Sequence, residues 1–315
     1  MSYKYEEFTF DSVVKGQKIF TRLYIPEGEI RAVLQVVHGM AEHTALYAEF
    51  CAYLAEAGYA VVLDDHLGHG RSVSEGGDFG YFFEGGINNL ILDEKQLHDQ
   101  TARRFKGIPY FIMGHSMGSF ITREYIARFG QELCGAVIMG TAGGMKPHLW
   151  LAQKTLLKFL IAKNGPKAKI KAITDLATKE YEKAFPNAQN DWVTSDPDEA
   201  GRYTRDPMCG FGLTLSAYLS IGELINKIND KEWYDRVPKT LPILVISGEN
   251  DPVGDMGQGV RRVAASLVKS EHEVDLILYP GVRHALVTEV NRQQVFRDIE
   301  SFMEYKAIKA KKAPQ

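Results

Sequence analysis

The pentapeptide Gly114-His115-Ser116-Met117-Gly118 sets a serine between two glycines, where an apolar run gives way to a helical pattern. A hydroxyl at such a point can act as a nucleophile if a sharp strand-to-helix turn lifts it clear of the backbone. Tyr110-Phe111-Ile112-Met113 follows Pro109 and reads as a short buried strand. Ile121, Tyr125 and Phe129 then recur at helical spacing until Gly130 stops the helix. Glycines suit the flanks because a Cβ has no room where strand and helix backbones nearly touch. The motif alone is common, so its neighbours must supply the rest of the chemistry.

A serine nucleophile needs a base to take its proton and an acid to orient that base. Asp251 meets the second demand in the turn Gly248-Glu249-Asn250-Asp251-Pro252, just past the strand-like Leu241 to Ser247. His284 meets the first, in Pro280-Gly281-Val282-Arg283-His284 after Val274 to Tyr279. The resulting chain order, Ser, Asp, His, is one that hydrolases built on an α/β sandwich use. Asp251 has an alternative reading as the N-cap of the helix carrying Val260 and Val263, with Asp255 as the competing acid. For His284 the alternative is a loop histidine with a structural hydrogen bond.

Attack on a carbonyl also requires donors for the charge that develops on its oxygen. The amide of Met117, directly after the serine, is one candidate. Met40 is the other, in His38-Gly39-Met40 at the end of the apolar run Ala32 to Val37, with Gly39 keeping the backbone open. His38 and Gly39 are therefore also expected to border the substrate.

These residues need a scaffold that gathers strand ends on one rim. Apolar, β-branched segments alternate with helical patterns, the signature of a mostly parallel sheet covered on both faces. Residues 5–11 and 17–25 read as an antiparallel opening pair, followed by strands at Ala32 to Val37, Tyr59 to Leu63, the elbow run and Gly135 to Met139. The alternation then lapses from about Thr141 to Lys239, a helical stretch broken at Gly165-Pro166, Pro186, Asp196-Pro197 and Asp206-Pro207. Strands resume at Leu241. Residues 1–140 and 240–305 are thus expected to form one core, 141–239 an inserted helical cap, and 306–315 a frayed basic tail.

A chain of 315 residues with net charge −3 has no broad attraction to nucleic acid, and no nucleic-acid motif is present. Met1 to Ile25 holds Lys4, Glu6, Glu7 and Asp11 and alternates like a strand, unlike a secretory signal, so a cytoplasmic location is expected. Cys51, Cys134 and Cys209 are widely spaced and odd in number, which points to reduced thiols instead of disulfides or a zinc site. His38, His43, His66 and His69 fall at strand ends but lack the two-histidine-plus-carboxylate pattern of a hydrolytic metal, so no metal is expected.

Several stretches together resemble the α/β-hydrolases of the monoacylglycerol lipase and lysophospholipase type, also grouped with the serine aminopeptidase domain. They are His38-Gly39-Met40-Ala41-Glu42-His43, Asp65 to Ser72, Gly114 to Gly118, Asp206-Pro207-Met208-Cys209-Gly210, Gly248 to Pro252 and Arg283-His284. The resemblance covers nearly the whole chain. It implies a triad of Ser116, Asp251 and His284, an oxyanion hole from the amides of Met40 and Met117, a helical cap and no cofactor. It also implies that the clustered histidines support the oxyanion loop.

The cap bears on substrate. Leu149, Trp150, Leu151, Leu156, Leu157, Phe159, Leu160 and Ile161 crowd one helix, with Lys154 and Lys158 on a narrow polar stripe, so most of its circumference is expected to be buried. Its remaining apolar surface is expected to line an acyl pocket, with Trp150 against the substrate, or to make transient contact with a membrane surface. Packing within the cap is the alternative. Phe79, Tyr81, Phe82 and Phe83 edge the same pocket or anchor their loop to the core. The expected activity is hydrolysis, through an acyl-enzyme, of a lipid-like small molecule, a medium or long acyl ester such as a monoacylglycerol or lysophospholipid. An aminopeptidase or thioesterase would use the same triad; the cap shows no obvious acidic cluster to hold an amino terminus. A silent binding protein on this fold is the non-enzymatic alternative.

Overall fold

The computed structural model describes residues 2–187 and 189–312. Its strands are β1 (Tyr3–Asp11), β2 (Lys18–Pro26), β3 (Ala32–Val37), β4 (Tyr59–Asp64), β5 (Tyr110–His115), β6 (Gly135–Met139), β7 (Ile243–Gly248) and β8 (Val274–Tyr279). Around them run helices α1 (Ala48–Glu56), α2 (Ile87–Arg104), α3 (Met117–Phe129), α4 (Pro147–Asn164), α5 (Lys171–Ala184), α6 (Pro197–Arg205), α7 (Leu215–Lys227), α8 (Lys231–Arg236), α9 (Gln258–Lys269) and α10 (Arg292–Lys312).

The strands form a single sheet in the order β1-β2-β4-β3-β5-β6-β7-β8. The β1–β2 and β2–β4 pairs are antiparallel, and all pairs from β4 onward across the sheet are parallel. Parallel strands buried on both faces read as continuous apolar runs, as Ala32–Val37 and Gly135–Met139 do, yet their side chains still alternate between faces. Ile112, Ala136, Ile138 and Val245 pack with Leu90 of α2, Ile121 of α3 and Val263 of α9. Phe111, Met113, Val137 and Leu244 turn the other way, onto Phe50 of α1 and Phe296 of α10. This is an α/β-hydrolase fold. Crossing from β3 to either neighbour reverses the chain progression, and such a rim at the carboxyl ends of parallel strands is where α/β sheets present their sites.

Helices α4 to α8 are all inserted between β6 and β7 and act as a cap. Arg123 of α3 fastens the base of the insertion: fully buried, it donates to the carbonyls of Ala142 and Ile228 and stacks over the Trp233 ring.

Two expectations need correction. The stretch from Lys306 is not frayed: α10 continues to Lys312, Ala307 carries on its apolar face, and Lys306 is buried against Glu273 at 2.6 Å. Residues 313–315 lie outside the described residues. Helix α4 is not mostly buried either. Only Leu157 is enclosed, while Leu149, Leu151 and Phe159 are 52%, 65% and 63% exposed. The reason is that α4 packs chiefly against α7, on one side.

Candidate active site

Strand β5 ends at the elbow. Ser116 takes φ 53° and ψ −122°, a backbone state that a serine holds only where its surroundings over-determine it. Its N–H is held by the Met139 carbonyl at 3.0 Å. The helix begins at once, and a Cβ on Gly118 would stand 2.0 Å from the Val37 carbonyl oxygen. Glycine at that position lets the first turn of α3 run against the end of β3.

That loop is pinned at each residue. The Gly39 amide is taken up by Glu42 Oε1, which leaves Met40 as the next amide along. Ala41 donates to His69 Nε2 at 3.2 Å and accepts from Gly210 of the cap at 2.9 Å. His38 Nδ1 donates to the Gly39 carbonyl at 2.8 Å, and its Nε2 accepts the His66 amide at 3.0 Å. Burial, reinforced by the neighbouring His66, holds His38 well below the ordinary histidine range and His69 at about 3. Both rings are therefore neutral props for the loop.

Asp251 follows β7 and is fully buried. Each of its carboxylate oxygens lies 3.0 Å from His284 Nδ1, Oδ1 also accepts the Val253 amide at 2.9 Å, and Oδ2 accepts the Ser247 hydroxyl at 3.2 Å. Burial by itself would raise this carboxyl, but the charge and hydrogen bond of His284 outweigh it and hold it below the usual carboxylate range. The N-cap of α9 is Gly257, not Asp251, and Asp255 is exposed and paired with Arg262 at 2.9 Å.

Ser116, Met40 and His284 line one cavity of about 770 Å³ beneath the cap. Among the described residues no hydrogen bond joins the Ser116 hydroxyl to the His284 ring, a link that often closes only when substrate binds. Ala41, Glu42 and His115 of the core complete its floor, and the cap supplies Thr174, Thr178, Glu182, Asn190, Trp192, Phe211 and Tyr218.

The three expected substrate contacts fare differently from the expectation. Trp150 packs onto α7 at Gly222 and does not line the cavity, because α4 turns its indole inward along the cap. His38 stands behind the loop, stacked on His66, and Gly39, where a Cβ would stand 3.0 Å from that of Ser116, is not among the residues lining the cavity. The aromatic loop is anchored in the core: Phe82 stacks on His69, and Phe79 only backs the cavity residue Phe211.

Sequence reasoning missed the cap segment that grips the His284 loop. Trp192 packs on the His284 ring, and the Val193 carbonyl accepts the Ala285 amide at 2.7 Å. Arg283 reaches Asp191 at 2.6 Å, and the buried Glu289 accepts the amides of Arg283 and Ser195. The sequence signal was slight, one tryptophan in a polar stretch. The cavity also contains acids that the reading did not credit, Asp175 and Glu182. Both are engaged: Asp175 pairs with Lys171 at 2.7 Å, and Glu182 accepts the Trp192 indole N–H at 3.1 Å.

Among the described residues, three groups bring possible metal ligands within 4.8 Å of one another: His43–Asp206–Cys209, Asp64–His66–Glu94 and His98–Asp99–Glu132. In the first, His43 Nδ1 already accepts the Ala45 amide, so Nε2 carries the proton given to Asp206 and offers a metal no lone pair. In the second, burial and the adjacent Asp64 raise the Glu94 carboxyl well above the usual carboxylate range. The third straddles the exposed surface. All three cysteines are free.

A nucleophile elbow, a buried acid–histidine pair and a capped cavity on one rim define a serine hydrolase of the α/β-hydrolase class. Residues 28–291 match the family model described as serine aminopeptidase, S33, and the chain belongs to that family. It is 28% identical over 297 residues to a monoacylglycerol lipase of Mycolicibacterium smegmatis, covering 92% of this chain and 94% of the relative. It is 27% identical over 307 residues to the monoglyceride lipase of Homo sapiens, covering 94% and 89%. A thermostable carboxyl esterase from Bacillus coagulans, solved with glycerol, superposes with a TM-score of 0.90 at 30% identity, covering 97% of this chain and 100% of that one. A lipase solved in an open form superposes at 0.89 with 27% identity, covering 96% and 99%. The protein is thus a serine hydrolase related to monoacylglycerol lipase and lysophospholipase-like carboxylesterases, and it acts through an acyl-enzyme.

Proposed function

We propose that Ser116, Asp251 and His284 are the catalytic triad of a carboxylesterase acting on a monoacylglycerol- or lysophospholipid-like ester, with the amides of Met40 and Met117 as oxyanion hole. In this reading residues 1–140 and 240–305 carry the chemistry and 141–239 cover it. The observation that carries it is the two-oxygen contact of Asp251 with His284 Nδ1, which leaves the other ring nitrogen to the cavity that holds Ser116. His284 takes the serine proton as Ser116 attacks the ester carbonyl, and returns a proton to the leaving alcohol. Asp251 fixes the tautomer and favours the charged ring. Water then releases the acyl group by the same steps.

Cavity chemistry supports an amphipathic substrate. Thr174, Thr178 and Asn190 offer hydrogen bonds to a hydroxylated head group, and Met40, Phe211 and Tyr218 offer apolar surface to an acyl chain. The commitments of Asp175 and Glu182 within the cap weigh against capture of a free amino terminus. Three free cysteines accord with a reducing, cytoplasmic setting. No helix of the described residues is long and apolar enough to cross a membrane. The exposed face of α4 is instead suited to lie on one. Leu149, Leu151, Leu156 and Phe159 stand beside Lys158 and Lys163, and no acidic residue occurs from residue 142 to residue 174.

A fluorophosphonate probe should label wild-type protein at Ser116 and leave Ser116→Ala unlabelled. A screen across p-nitrophenyl esters, monoacylglycerols, lysophospholipids and aminoacyl amides should favour the esters. Preference for the amides would overturn the substrate assignment.

A further inference from the structure

Glu42 and His115 take no part in the acyl transfer outlined above, yet both are buried, at 6% and 2% exposure, in the wall of the cavity that holds Ser116. Each ring nitrogen of His115 faces an acceptor. Nε2 lies 3.1 Å from the carbonyl oxygen of His284, which can only accept, so Nε2 carries a proton. Nδ1 lies 3.2 Å from Glu42 Oε1 and 3.1 Å from the Tyr47 hydroxyl. That hydroxyl spends its own proton on Glu42 Oε1, at 2.6 Å, so it turns lone pairs toward the ring and Nδ1 is a donor as well. A ring that donates from both nitrogens is an imidazolium. Burial would discharge it, but the carboxylate of Glu42 outweighs that cost; burial likewise opposes the Glu42 charge, and His115 keeps this carboxyl near 2.

The same carboxylate oxygen accepts the amide of Gly39, the residue before Met40. One charge pair therefore reaches two places at once: the turn at the end of β3 and the backbone of His284 beyond β8. His115 itself sits at the end of β5, next to Ser116. We propose that Glu42 and His115 form a buried ion pair that holds the oxyanion turn and the backbone of His284 in mutual register, acting as positioning residues for the reaction.

The inference rests on the assignment of Ser116 and His284 given above. It has consequences of its own. In Glu42→Gln the side chain keeps its shape and still accepts from Gly39, but the ring loses its counter-charge and one proton. It can then donate from only one nitrogen; if Nε2–H stays on the His284 carbonyl, Nδ1 no longer donates to residue 42, and the charge-assisted tie between the two strand ends is lost. Displacements of about 1 Å between reacting groups cost on the order of 100-fold in rate, so the loss should appear in kcat and not in substrate binding.

Two measurements test this. In the inactive, folded Ser116→Ala protein, nitrogen-15 NMR of labelled histidines should show both His115 ring nitrogens protonated at neutral pH, and Glu42→Gln in that background should leave one. A singly protonated His115 in the parent overturns the proposal, whatever the enzyme's activity. With active protein and a water-soluble p-nitrophenyl ester, Glu42→Gln should lower kcat roughly 10- to 100-fold with KM within about twofold. Glu42→Gln/His115→Gln should lose no more than the worse single variant, since the two residues act as one unit. Unchanged kcat, a loss confined to KM, or additive losses in the double variant would each overturn it. Failure of the probe to label wild-type Ser116 would instead strike the triad assignment and leave the NMR result standing.

Discussion

The Trp192 indole lies over the imidazole of His284, with ring centroids 5.3 Å apart and planes inclined at 38°. Its N–H is anchored to Glu182 of α5, so the cap, and not only the core, holds the proposed base. Aromatic pairs of this kind contribute about 1 kcal/mol beyond area burial, which corresponds to roughly fivefold in rate if it serves orientation. Trp192→Ala should therefore lower kcat/KM on a water-soluble ester by roughly fivefold or more, and Trp192→Phe should keep most of the activity. Wild-type kinetics in Trp192→Ala would show that the cap does not steady the ring.

Asp251 and Asp255 separate cleanly by environment. Asp251→Asn places an N–H where the carboxylate accepted one and favours the wrong tautomer of His284, a change that costs on the order of 10⁴-fold in kcat in serine hydrolases. Asp255→Asn disturbs only an exposed ion pair with Arg262 and should stay within about twofold. Steady-state assays of the two variants decide the matter, and the reverse ranking would reassign the acid.

Burial of His69 should make its contribution to stability fall as pH drops below 6.5. In the unfolded chain a histidine takes up its proton near 6.5, whereas folded His69 stays neutral down to about 3 because of burial and the adjacent His66. The unfolded state thus binds the extra proton throughout that window, and stability drops as pH falls, by about 1.4 kcal/mol per unit for each such group. His38 is shifted in the same sense, by burial first. His115 is shifted upward, is charged in both states below 6.5, and adds no slope there. Urea midpoints from pH 7.5 to 5 should show a slope smaller by about one proton in His69→Gln than in wild type. Equal slopes would mean that His69 is not a neutral buried ring.

The α4 surface makes a separate prediction. Leu151→Asp/Phe159→Asp should abolish co-sedimentation with vesicles containing anionic phospholipid, and Lys158→Glu/Lys163→Glu should weaken it in a salt-sensitive way. Hydrolysis of a dissolved short-chain ester should be unchanged in both, because none of these four side chains lines the cavity. Retained vesicle binding in the aspartate variant would remove α4 as the contact.

Local pattern carried much of the fold. Ala32–Val37 and Gly135–Met139 appear with the boundaries that their apolar runs indicate, since a strand buried on both faces leaves a continuous trace in sequence, and the partly exposed edge strand Val274–Tyr279 also keeps its bounds. The turns holding Ser116, Asp251 and His284 were legible for a related reason: each is a short glycine- or proline-marked loop at the end of such a strand. Element ends in helices were harder. The basic composition after Lys306 hid the fact that Met303 and Ala307 continue one helical face.

Contacts between distant segments were not legible at all. The hydrophobic crowding of α4 indicated burial, but a residue's exposure depends on what is packed beside it, and α4 packs chiefly against α7. Trp150 and Trp192 are both cap tryptophans, and periodicity cannot tell which one meets the site. The types and order of the reactive residues follow from the sequence alone, because strand, turn and helix signals are local. The tertiary structure alone decided that Trp192 and not Trp150 faces His284, and that the carboxylate of Glu42, which holds its near neighbours Gly39 and Tyr47, also meets His115, because those two contacts span long stretches of chain and arise only when the strand ends are packed onto one rim.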